Sequence, residues 1–263
     1  MTAPVYNTIG HNYRTHRAAD RRIVNKIIAL MAVPRGSVVC DVGAGAGNYA
    51  NALADEGFDV LALEPSHIMR AQADAHERVR WVEGVAERMP LPDGCADALI
   101  CVLAIHHFTS LPETAAEMQR ICPAGPLVWL TVDPRESVPF WFPDYFSEIT
   151  DEAYELFPPV AEVIAEVEAI TGRRGDAHAF PLPHDLTDRF MQATWSAPEA
   201  YFDASLRANH SGFAKADQTV VERSLAKLRE DLDSGVWDAR HGHLRTQQTL
   251  DAGYRFLMWR DAP

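Results

Sequence analysis

Long apolar runs, paired cysteines and an excess of basic residues are all missing from this chain of 263 residues. The four cysteines are Cys40, Cys95, Cys101 and Cys122, and they form no CxxC pair and no Cys/His pair at metal-ligand spacing. This pattern is typical of buried thiols, which pack as small apolar side chains. We therefore expect neither a disulfide framework nor a metal site.

The charge balance is acidic, with 24 Lys and Arg against 37 Asp and Glu, a formal net charge of −13. Nucleic acids and anionic membranes need a positive footprint on a protein, so we expect neither as a partner. No apolar run is long enough to span a bilayer, and the first residues lack the basic-then-apolar pattern of a secretion signal. These absences favour a soluble, cytoplasmic protein, either a monomer or a homodimer.

Short apolar runs alternate with helical patterns between Val38 and Asp133. Strands are predicted at residues 38–42, 59–64, 79–84, 96–103 and 126–133. Helices are predicted at residues 18–31, 48–56, 67–76 and 114–121. Strands that are apolar on both faces belong to parallel sheets covered by helices on both sides. The predicted fold class is α/β, an open doubly wound sheet.

The second half of the chain is less regular. Residues 134–147 hold five aromatic side chains among three prolines, which disfavours a regular helix. Further on we predict a helix over 150–171 interrupted near Pro158 and Pro159, strands at 178–183 and 254–259, and helical stretches at 220–232 and 244–250. Long segments after a strand commonly cover the substrate of α/β proteins, so we expect a mainly helical substrate-covering insertion.

The stretch VVCDVGAGAGNY, residues 38–49, reads as strand, glycine loop and helix. Glycines let a ligand approach the backbone, and the helix start offers unpaired N–H groups. Glu64 ends the next predicted strand, where a carboxylate can accept both hydroxyls of a ribose. A dinucleotide site normally has its third glycine where this chain has Asn48, which disfavours the alternative of an NAD-linked oxidoreductase.

Four blocks of sequence occur in the order found in the class I S-adenosyl-L-methionine (SAM)-dependent methyltransferases. They are DVGAGAGNY, LALEPSHIMRAQA, GVAERMPLPDGCADALICVLAIHHF and LVWLTVD. The chain resembles the small-molecule group of that family. This resemblance implies a Rossmann-like seven-stranded sheet whose last strand, residues 254–259, is antiparallel. It also implies SAM as cofactor, S-adenosyl-L-homocysteine as product, and a small-molecule acceptor such as a secondary metabolite.

The domain boundaries follow from this resemblance. We predict an N-terminal arm and leading helix over residues 1–36 and a SAM-binding core over 37–133. Residues 134–252 are expected to supply the remaining core elements and the substrate-covering insertions, and residues 253–263 the last strand. A SAM-binding enzyme that catalyses a step other than methyl transfer is an open alternative, because its cofactor site would have the same residues.

The resemblance also implies which residues contact the cofactor. The floor under the methionine part is expected to be Asp41, Gly43, Ala44 and Gly45, with Glu64 on the ribose diol. The expected neighbours of the adenine are Pro65, Met69, Ala86 and Glu87, and those of the sulfonium are Leu103 and Ala104. Tyr13 and Arg17 of the N-terminal arm are expected to touch the methionine carboxylate or amine, although such an arm can equally be only a lid.

Two consecutive histidines, His106 and His107, follow the fourth predicted strand. Methyl transfer depends mainly on positioning and water exclusion, but an oxygen or nitrogen acceptor can also need a base, a role that suits histidine. In similar enzymes one histidine of such a pair works with an acidic residue after the fifth strand, here Asp133. This hypothesis favours O- or N-methylation over C-methylation. The alternative is a structural histidine pair.

Four further residues are candidates for contact with the acceptor. Trp141, Tyr145 and Trp195 would be ordinary core residues by default, but the aromatic density around residues 140–146 favours a wall for a flat or apolar molecule. His184 follows the sixth predicted strand, from which it could reach the same cleft from the other side. An Asp cap on the next helix is the competing interpretation of that stretch.

Overall fold

The structure, a computed structural model, describes residues 17–261. Within this range seven strands form one sheet and two short strands form another. The strands are Val38–Val42 (β1), Asp59–Leu63 (β2), Val79–Val82 (β3), Ala98–Val102 (β4), Leu127–Val132 (β5), Arg174–Ala179 (β6), Leu182–Pro183 (β7), Thr249–Leu250 (β8) and Tyr254–Arg260 (β9). None of the helices in the described range is long and apolar enough to cross a membrane.

The large sheet has the strand order β3-β2-β1-β4-β5-β9-β6. Strands β1 to β5 pair in parallel, whereas β9 runs antiparallel to both of its neighbours. Trp259 lies opposite Leu127 of β5, and Leu257 lies opposite Ala177 of β6. The predicted Rossmann-like sheet with an antiparallel last strand is therefore confirmed, including the position of that strand in the sequence.

Eleven α-helices are present in the described range. They are Arg21–Met31 (α1), Asn48–Asp55 (α2), His67–Arg70 (α3), Leu111–Ile121 (α4), Phe142–Tyr145 (α5), Ser147–Leu156 (α6), Val160–Thr171 (α7), Ala204–Ala208 (α8), Ser211–Lys215 (α9), Gln218–Asp233 (α10) and Val236–His241 (α11). Short 3-10 turns occur at Ile105–His107, Pro134–Glu136, Pro198–Phe202 and Gly242–Thr246.

Helices cover both faces of the sheet because alternate strand residues point to opposite sides. Val39 of β1 belongs to an apolar cluster that includes Ile23 of α1. The next residue, Cys40, belongs to a second cluster that includes Met118 of α4 and Val163 of α7. Each central strand is thus buried on both faces, which explains its continuous apolar sequence.

Several predicted boundaries are wrong in the second half. The strand predicted at 178–183 is in fact the end of β6 and the separate strand β7, because Pro181, which lies between them, has no N–H to continue a ladder. The stretch 244–250, predicted as helical, holds a 3-10 turn and strand β8, which pairs with β7. The interruption near Pro158 and Pro159 is confirmed, since α6 ends at Leu156 and α7 begins at Val160.

Candidate active site

The glycine loop leaves the carboxyl end of β1 and is fixed by backbone hydrogen bonds. The N–H groups of Gly43 and Ala44 donate to the carbonyl of Leu63 at the end of β2, at 2.9 and 3.0 Å. The N–H of Gly45 donates to Oε2 of Glu64 at 2.9 Å, and the N–H of Ser66 donates to Oε1 of the same carboxylate at 2.8 Å. Glu64 therefore joins the loop to the end of β2.

Two glycines of the loop are required by their surroundings. Gly43 has a φ of +76°, and a Cβ there would lie 2.6 Å from the Cβ of Ala104. Gly47 has a φ of +80°, and a Cβ there would lie 2.7 Å from Cζ2 of Trp81. The left-handed backbone and the close packing both exclude larger residues at these positions. The loop thus packs tightly against Trp81 of β3 and against Ala104, just after β4.

Asp41 is the last polar residue of β1 and is 2% exposed. Its Oδ2 atom has no hydrogen-bond partner among the described residues. Burial, followed by the nearby charge of Glu64, raises the pKa of Asp41 to about 7. Burial likewise raises the pKa of Glu64, against the opposing effect of the hydrogen bonds from Ser66 and Gly45. An unsatisfied buried carboxyl oxygen of this kind suits a cationic ligand group.

A small cleft of about 30 Å³ opens above the loop. Five of the predicted cofactor residues line it: Arg17, Asp41, Gly43, Ala44 and Gly45. Four lining residues were not predicted, namely Ala46, Asn48, Tyr49 and Val102. Asn48 and Tyr49 form the first turn of α2, so their position directly after the last glycine was the signal available in the sequence.

The residues predicted near the adenine do not line this cleft. Met69 and Ala86 are buried, and Glu87 accepts hydrogen bonds from the N–H and the Oγ1 of Thr109 at 2.5 and 2.9 Å. Pro65 is half-buried at the end of β2. The adenine contacts of these four residues, and the ribose contact of Glu64, remain predictions. Tyr13 lies outside the described residues.

The end of β4 carries an unusual backbone conformation at Leu103, whose φ is +54°. Its N–H donates to the carbonyl of Leu130 in β5 at 2.8 Å. A residue with a Cβ rarely occupies the left-handed region, and such strain, about 1–3 kcal/mol, is concentrated at functional sites. Leu103 lines a second, larger cavity, while the next residue, Ala104, packs against Gly43.

This second cavity, which we call the acceptor cavity, has a volume of about 120 Å³, measured as the space open to the centres of water-sized spheres. Much of its wall is apolar and includes Leu103, Val132, Phe142, Ile149, Phe157 and Phe190. Charged or titratable side chains also face it, among them Arg17, His106, Glu152 and Lys215. Most of these residues come from the second half of the chain.

The cleft and the acceptor cavity meet at the carboxyl end of β4. Val102 lines the cleft, and the next residue, Leu103, lines the acceptor cavity. Arg17 lines both. The arrangement therefore allows one ligand bound over the glycine loop to face another bound under the helices of the second half.

The two histidine rings contact each other at a tilt of 49°, with ring centroids 3.8 Å apart, and the centroid of His106 lies 4.8 Å from that of Phe157. Burial, then His107, Lys215 and Arg17, holds the pKa of His106 well below its usual value. Burial and then Lys215 lower the pKa of His107 to about 4. Both rings are therefore neutral at pH 7. Nδ1 of His106 is buried and has no hydrogen-bond partner among the described residues.

The Asp133 carboxylate is hydrogen-bonded to other residues and not to the two histidines, so the predicted His/Asp pair is wrong. One of its carboxylate oxygens accepts from the backbone N–H and from Nη1 of Arg135, at 3.0 and 3.2 Å. The other accepts from the N–H of Val160 at 3.0 Å. Asp133 is thus used to cap the turn that follows β5 and the start of α7.

The four predicted acceptor contacts also lie elsewhere. Trp141 and Trp195 are fully buried, and their Nε1 groups donate to the carbonyls of Trp195 and Leu182, at 2.6 and 3.1 Å. The hydroxyl of Tyr145, another buried residue, donates to Asp231 at 2.7 Å. These aromatic residues belong to the core, because they are buried and their polar atoms bind partners inside the protein. His184 is exposed and does not line the acceptor cavity.

Among residues 17–261, no group of three or more His, Cys, Asp or Glu side chains is arranged to hold a metal ion. The four cysteines are free, and three of them are buried.

Comparisons with known proteins agree with the fold. The family described as "Methyltransferase domain" matches residues 40–129. A solved structure from Anabaena variabilis, assigned as a methyltransferase of an antibiotic biosynthesis pathway, is 45% identical in sequence with a TM-score of 0.90. That match covers 93% of this chain and 98% of the other, so the likeness includes the second half.

Two curated relatives match less than half of this chain. The malonyl-[acyl-carrier protein] O-methyltransferase of Pectobacterium atrosepticum is 35% identical over 109 residues, 41% of this chain and 43% of that protein. The ubiquinone/menaquinone biosynthesis C-methyltransferase of Rubrivivax gelatinosus is 32% identical over 117 residues, 43% of this chain and 45% of that protein. The chain thus matches less than half of the length of these relatives.

Proposed function

Because the chain belongs to the class I SAM-dependent methyltransferases, we propose that it transfers the methyl group of SAM to a small molecule bound in the acceptor cavity. The observation that carries this proposal is the meeting of the two cavities at Val102 and Leu103. A methyl donor over the glycine loop and an acceptor in the larger cavity would face each other there, as in-line displacement requires.

The residues of the cleft fit the methionine part of SAM. The buried Oδ2 of Asp41 suits its ammonium group, and the backbone at Gly43, where a Cβ would clash, suits close approach of the ligand chain. Glu64 keeps acceptor capacity for ribose hydroxyls, because a carboxylate has about four lone-pair sites and two backbone donors occupy it. When bound, SAM supplies an electrophilic methyl group on a sulfonium.

The acceptor cavity supplies positioning and exclusion of water. Its apolar wall, with Phe142, Phe157 and Phe190, suits a molecule with a sizeable apolar part. The net charge of −13 disfavours large anionic acceptors. The Anabaena relative, assigned to an antibiotic pathway, supports a secondary metabolite or a similar small molecule as the acceptor.

His106 is the candidate proton acceptor. It lines the acceptor cavity, its ring is neutral at pH 7, and its buried Nδ1 is available for a hydrogen bond. Because its lowered pKa makes it a weak base, it suits an acceptor hydroxyl or amine that itself loses a proton easily. This role favours O- or N-methylation over C-methylation. The ring of His107 contacts that of His106 and so limits its movement.

The test has two stages, both with the full chain. Calorimetry compares SAM with NAD, and we expect SAM alone to bind. S-adenosyl-L-homocysteine formation is then measured with panels of phenols, aromatic carboxylic acids and amines. The absence of SAM binding at millimolar concentration would refute the proposal. SAM binding together with turnover of the panel into products that carry no new methyl group would favour the alternative of a non-methyl-transfer enzyme.

A further inference from the structure

A single arginine belongs to both cavities, and its side chain is held from a distant part of the sequence. Arg17 lies just before α1, yet it lines the cleft over the glycine loop and also the acceptor cavity. Its side chain is 9% exposed, so a nearly buried positive charge lies where the two cavities meet. A buried guanidinium needs a partner, and the structure supplies one.

That partner is Asp188, in the segment between β7 and α8. Asp188 is 1% exposed. Its Oδ1 accepts a short hydrogen bond from Nε of Arg17, and its Oδ2 accepts from Nη2 at 3.3 Å. The same Oδ2 accepts from the hydroxyl of Tyr49, in the first turn of α2, at 2.8 Å. One carboxylate thus joins Arg17, the helix that follows the glycine loop, and the substrate-covering half.

Further contacts hold the same two segments together. The carboxylate of Asp20 accepts from the N–H and the Oγ1 of Thr187, at 2.9 and 3.0 Å. At the surface, Nη1 of Arg22 donates to Asp185 at 2.6 Å. The backbone of Arg17 is fixed as well, because its carbonyl accepts from Nδ2 of Asn48 at 3.1 Å. The Arg17 guanidinium is therefore preorganised at both ends of its side chain.

The cleft shows charges of opposite sign, with the Asp41 carboxyl and the Arg17 guanidinium in its wall. An α-amino acid group, with an ammonium and a carboxylate on adjacent carbons, is complementary to such a pair. A guanidinium recognises a carboxylate through fixed N–H donors, and it does so best when its orientation is set in advance.

We propose that Asp188 is a positioning residue, which holds Arg17 so that its guanidinium binds the carboxylate of the methionine part of SAM. This inference rests on the proposed function, because it takes SAM as the ligand of the cleft. Asp188 acts through Arg17, and Tyr49 fixes Asp188 in turn. The substrate-covering half thereby contributes to cofactor affinity without providing a cofactor contact of its own.

The experiment compares SAM with decarboxylated SAM, which keeps the ammonium, the sulfonium and the nucleoside but lacks the carboxylate. Binding to the full chain is measured by calorimetry for the wild type and for Asp188→Asn. We expect the wild type to bind SAM about tenfold more tightly than the analogue, the loss that one charge-assisted hydrogen bond explains. In Asp188→Asn this preference should fall to about twofold or less, through weaker SAM binding alone.

Four variants make the test specific. Asp185→Asn removes an exposed carboxylate from the same segment and should keep the wild-type preference for SAM. Tyr49→Phe removes only the hydroxyl that fixes Asp188 and should reduce the preference partly. In the double variant Arg17→Gln/Asp188→Asn, SAM should bind as weakly as it does to Arg17→Gln alone, since Asp188 has no effect once Arg17 is gone. Circular dichroism confirms that each variant is folded.

The outcomes separate the two proposals. A wild type that binds neither ligand overturns the proposed function. A wild type that binds both ligands equally well keeps the proposed function but overturns the carboxylate contact. Equal weakening of both ligands in Asp188→Asn shows a general loosening of the site and overturns the positioning role. Loss confined to SAM, with Asp185→Asn unchanged, supports it.

Discussion

The two halves of this protein form their cavities by different means. Over residues 38–133 the cofactor cleft is built largely from backbone, with Gly43 and Gly47 in left-handed conformations and the N–H of Gly45 on Glu64. Over residues 134–252 the acceptor cavity is built from side chains on several short helices, such as Phe142, Ile149 and Lys215. The cleft thus depends on the backbone conformation of one loop, whereas the acceptor cavity depends on the size and polarity of side chains from several helices.

This difference explains why one ligand can be inferred from the sequence and the other cannot. A loop that must bring its backbone close to a ligand needs glycine at set positions, and such a requirement leaves a short pattern. A lined cavity needs only apolar bulk in the right places, which many residue types supply. The following predictions test this contrast, from the largest expected effect to the smallest.

Trp141→Ala tests whether the aromatic segment is core. Because Trp141 is fully buried and its Nε1 donates to Trp195, we expect the free energy of unfolding to fall by about 3–5 kcal/mol. SAM affinity of the folded fraction should be unchanged. Urea unfolding measures the first quantity and calorimetry the second. Val138→Ala, at an exposed position of the same segment, should stay within about 0.5 kcal/mol. A fully stable Trp141→Ala protein with impaired turnover would instead make Trp141 an acceptor contact.

His106→Gln tests whether a histidine of the acceptor cavity acts as the general base. The substitution keeps a polar side chain but removes the imidazole, so we expect turnover to fall about 100-fold, the contribution of a general base. SAM affinity should hardly change, because His106 lines the acceptor cavity and not the cleft. Steady-state turnover and calorimetry separate the two effects. His184→Ala, at an exposed position, is the control and should behave as wild type. Unaltered turnover in His106→Gln would leave positioning as the sole contribution of the protein.

Gly43→Ala tests the backbone loop. The added Cβ would meet the Cβ of Ala104 at 2.6 Å, so the loop must move, and we expect SAM affinity to fall about tenfold or more. Gly36→Ala is a matched control, because Gly36 also has a positive φ, +87°, but nothing lies within 4 Å of its Cβ position. It should lose about 1 kcal/mol of stability and keep its SAM affinity. Equal SAM affinity in the two variants would show that space at position 43 is not what the ligand needs.

The pH dependence of SAM binding tests Asp41. Its pKa is about 7 in the folded protein, so at pH 6 it is mostly protonated and at pH 8 mostly ionised. Because the ammonium of SAM should favour the carboxylate, we expect affinity to rise by up to about tenfold between these pH values. Asp41→Asn should remove the rise. Calorimetry at pH 6 and pH 8 decides, and an equal rise in wild type and Asp41→Asn would assign it to another group.

The same group has an opposite effect on the unliganded protein. Since the pKa of Asp41 is raised from 3.8 to about 7 on folding, the native state binds more protons than the unfolded state between these pH values. The contribution of Asp41 to the free energy of unfolding is therefore present at low pH and is lost as the pH rises through 7. Asp41→Asn should flatten this part of the stability profile measured by urea unfolding.

The fold of the first half could be predicted closely from its sequence. Strands β1, β2 and β4 are apolar on both faces, and the helix after the glycine loop begins at Asn48 as predicted. The helix predicted over residues 67–76 ends at Arg70 instead. Beyond it, the carbonyl of Asp74 accepts from Nδ2 of Asn51 in α2, a tertiary contact that no local pattern indicates.

Strand β6 shows why the structure of the second half is harder to predict from its sequence. Its sequence, RGDAHA, is polar and partly exposed because β6 lies at the edge of the sheet. The more apolar pattern of the neighbouring HAFPLP instead predicts a strand there, although Pro181 separates β6 from β7. The short helix α5 was missed for a related reason, since Pro143 lies in its first turn, where proline is tolerated.

The site residues divide in the same way. Asp41, Gly43, Ala44, Gly45 and Arg17 line one cleft, and their contacts with SAM stay predictions. Residue type and approximate position predict a functional role for Asp133 and Trp141. In the structure their polar atoms are hydrogen-bonded within the fold, so both residues have a structural role. Asp188 had no signal in the sequence, because a buried ion pair with a residue 171 positions away leaves no spacing to detect.

The position of β9 in the sheet has a consequence for how the protein is made. Strand β9 pairs with both β5 and β6, although it follows them in the chain by a long interval. Until the ribosome has released it, β5 and β6 each present an open edge, and an open edge can pair with another nascent chain. The parallel strands β1 to β5 can assemble during translation, but closure of the sheet between β5 and β6 must wait until β9 has been made.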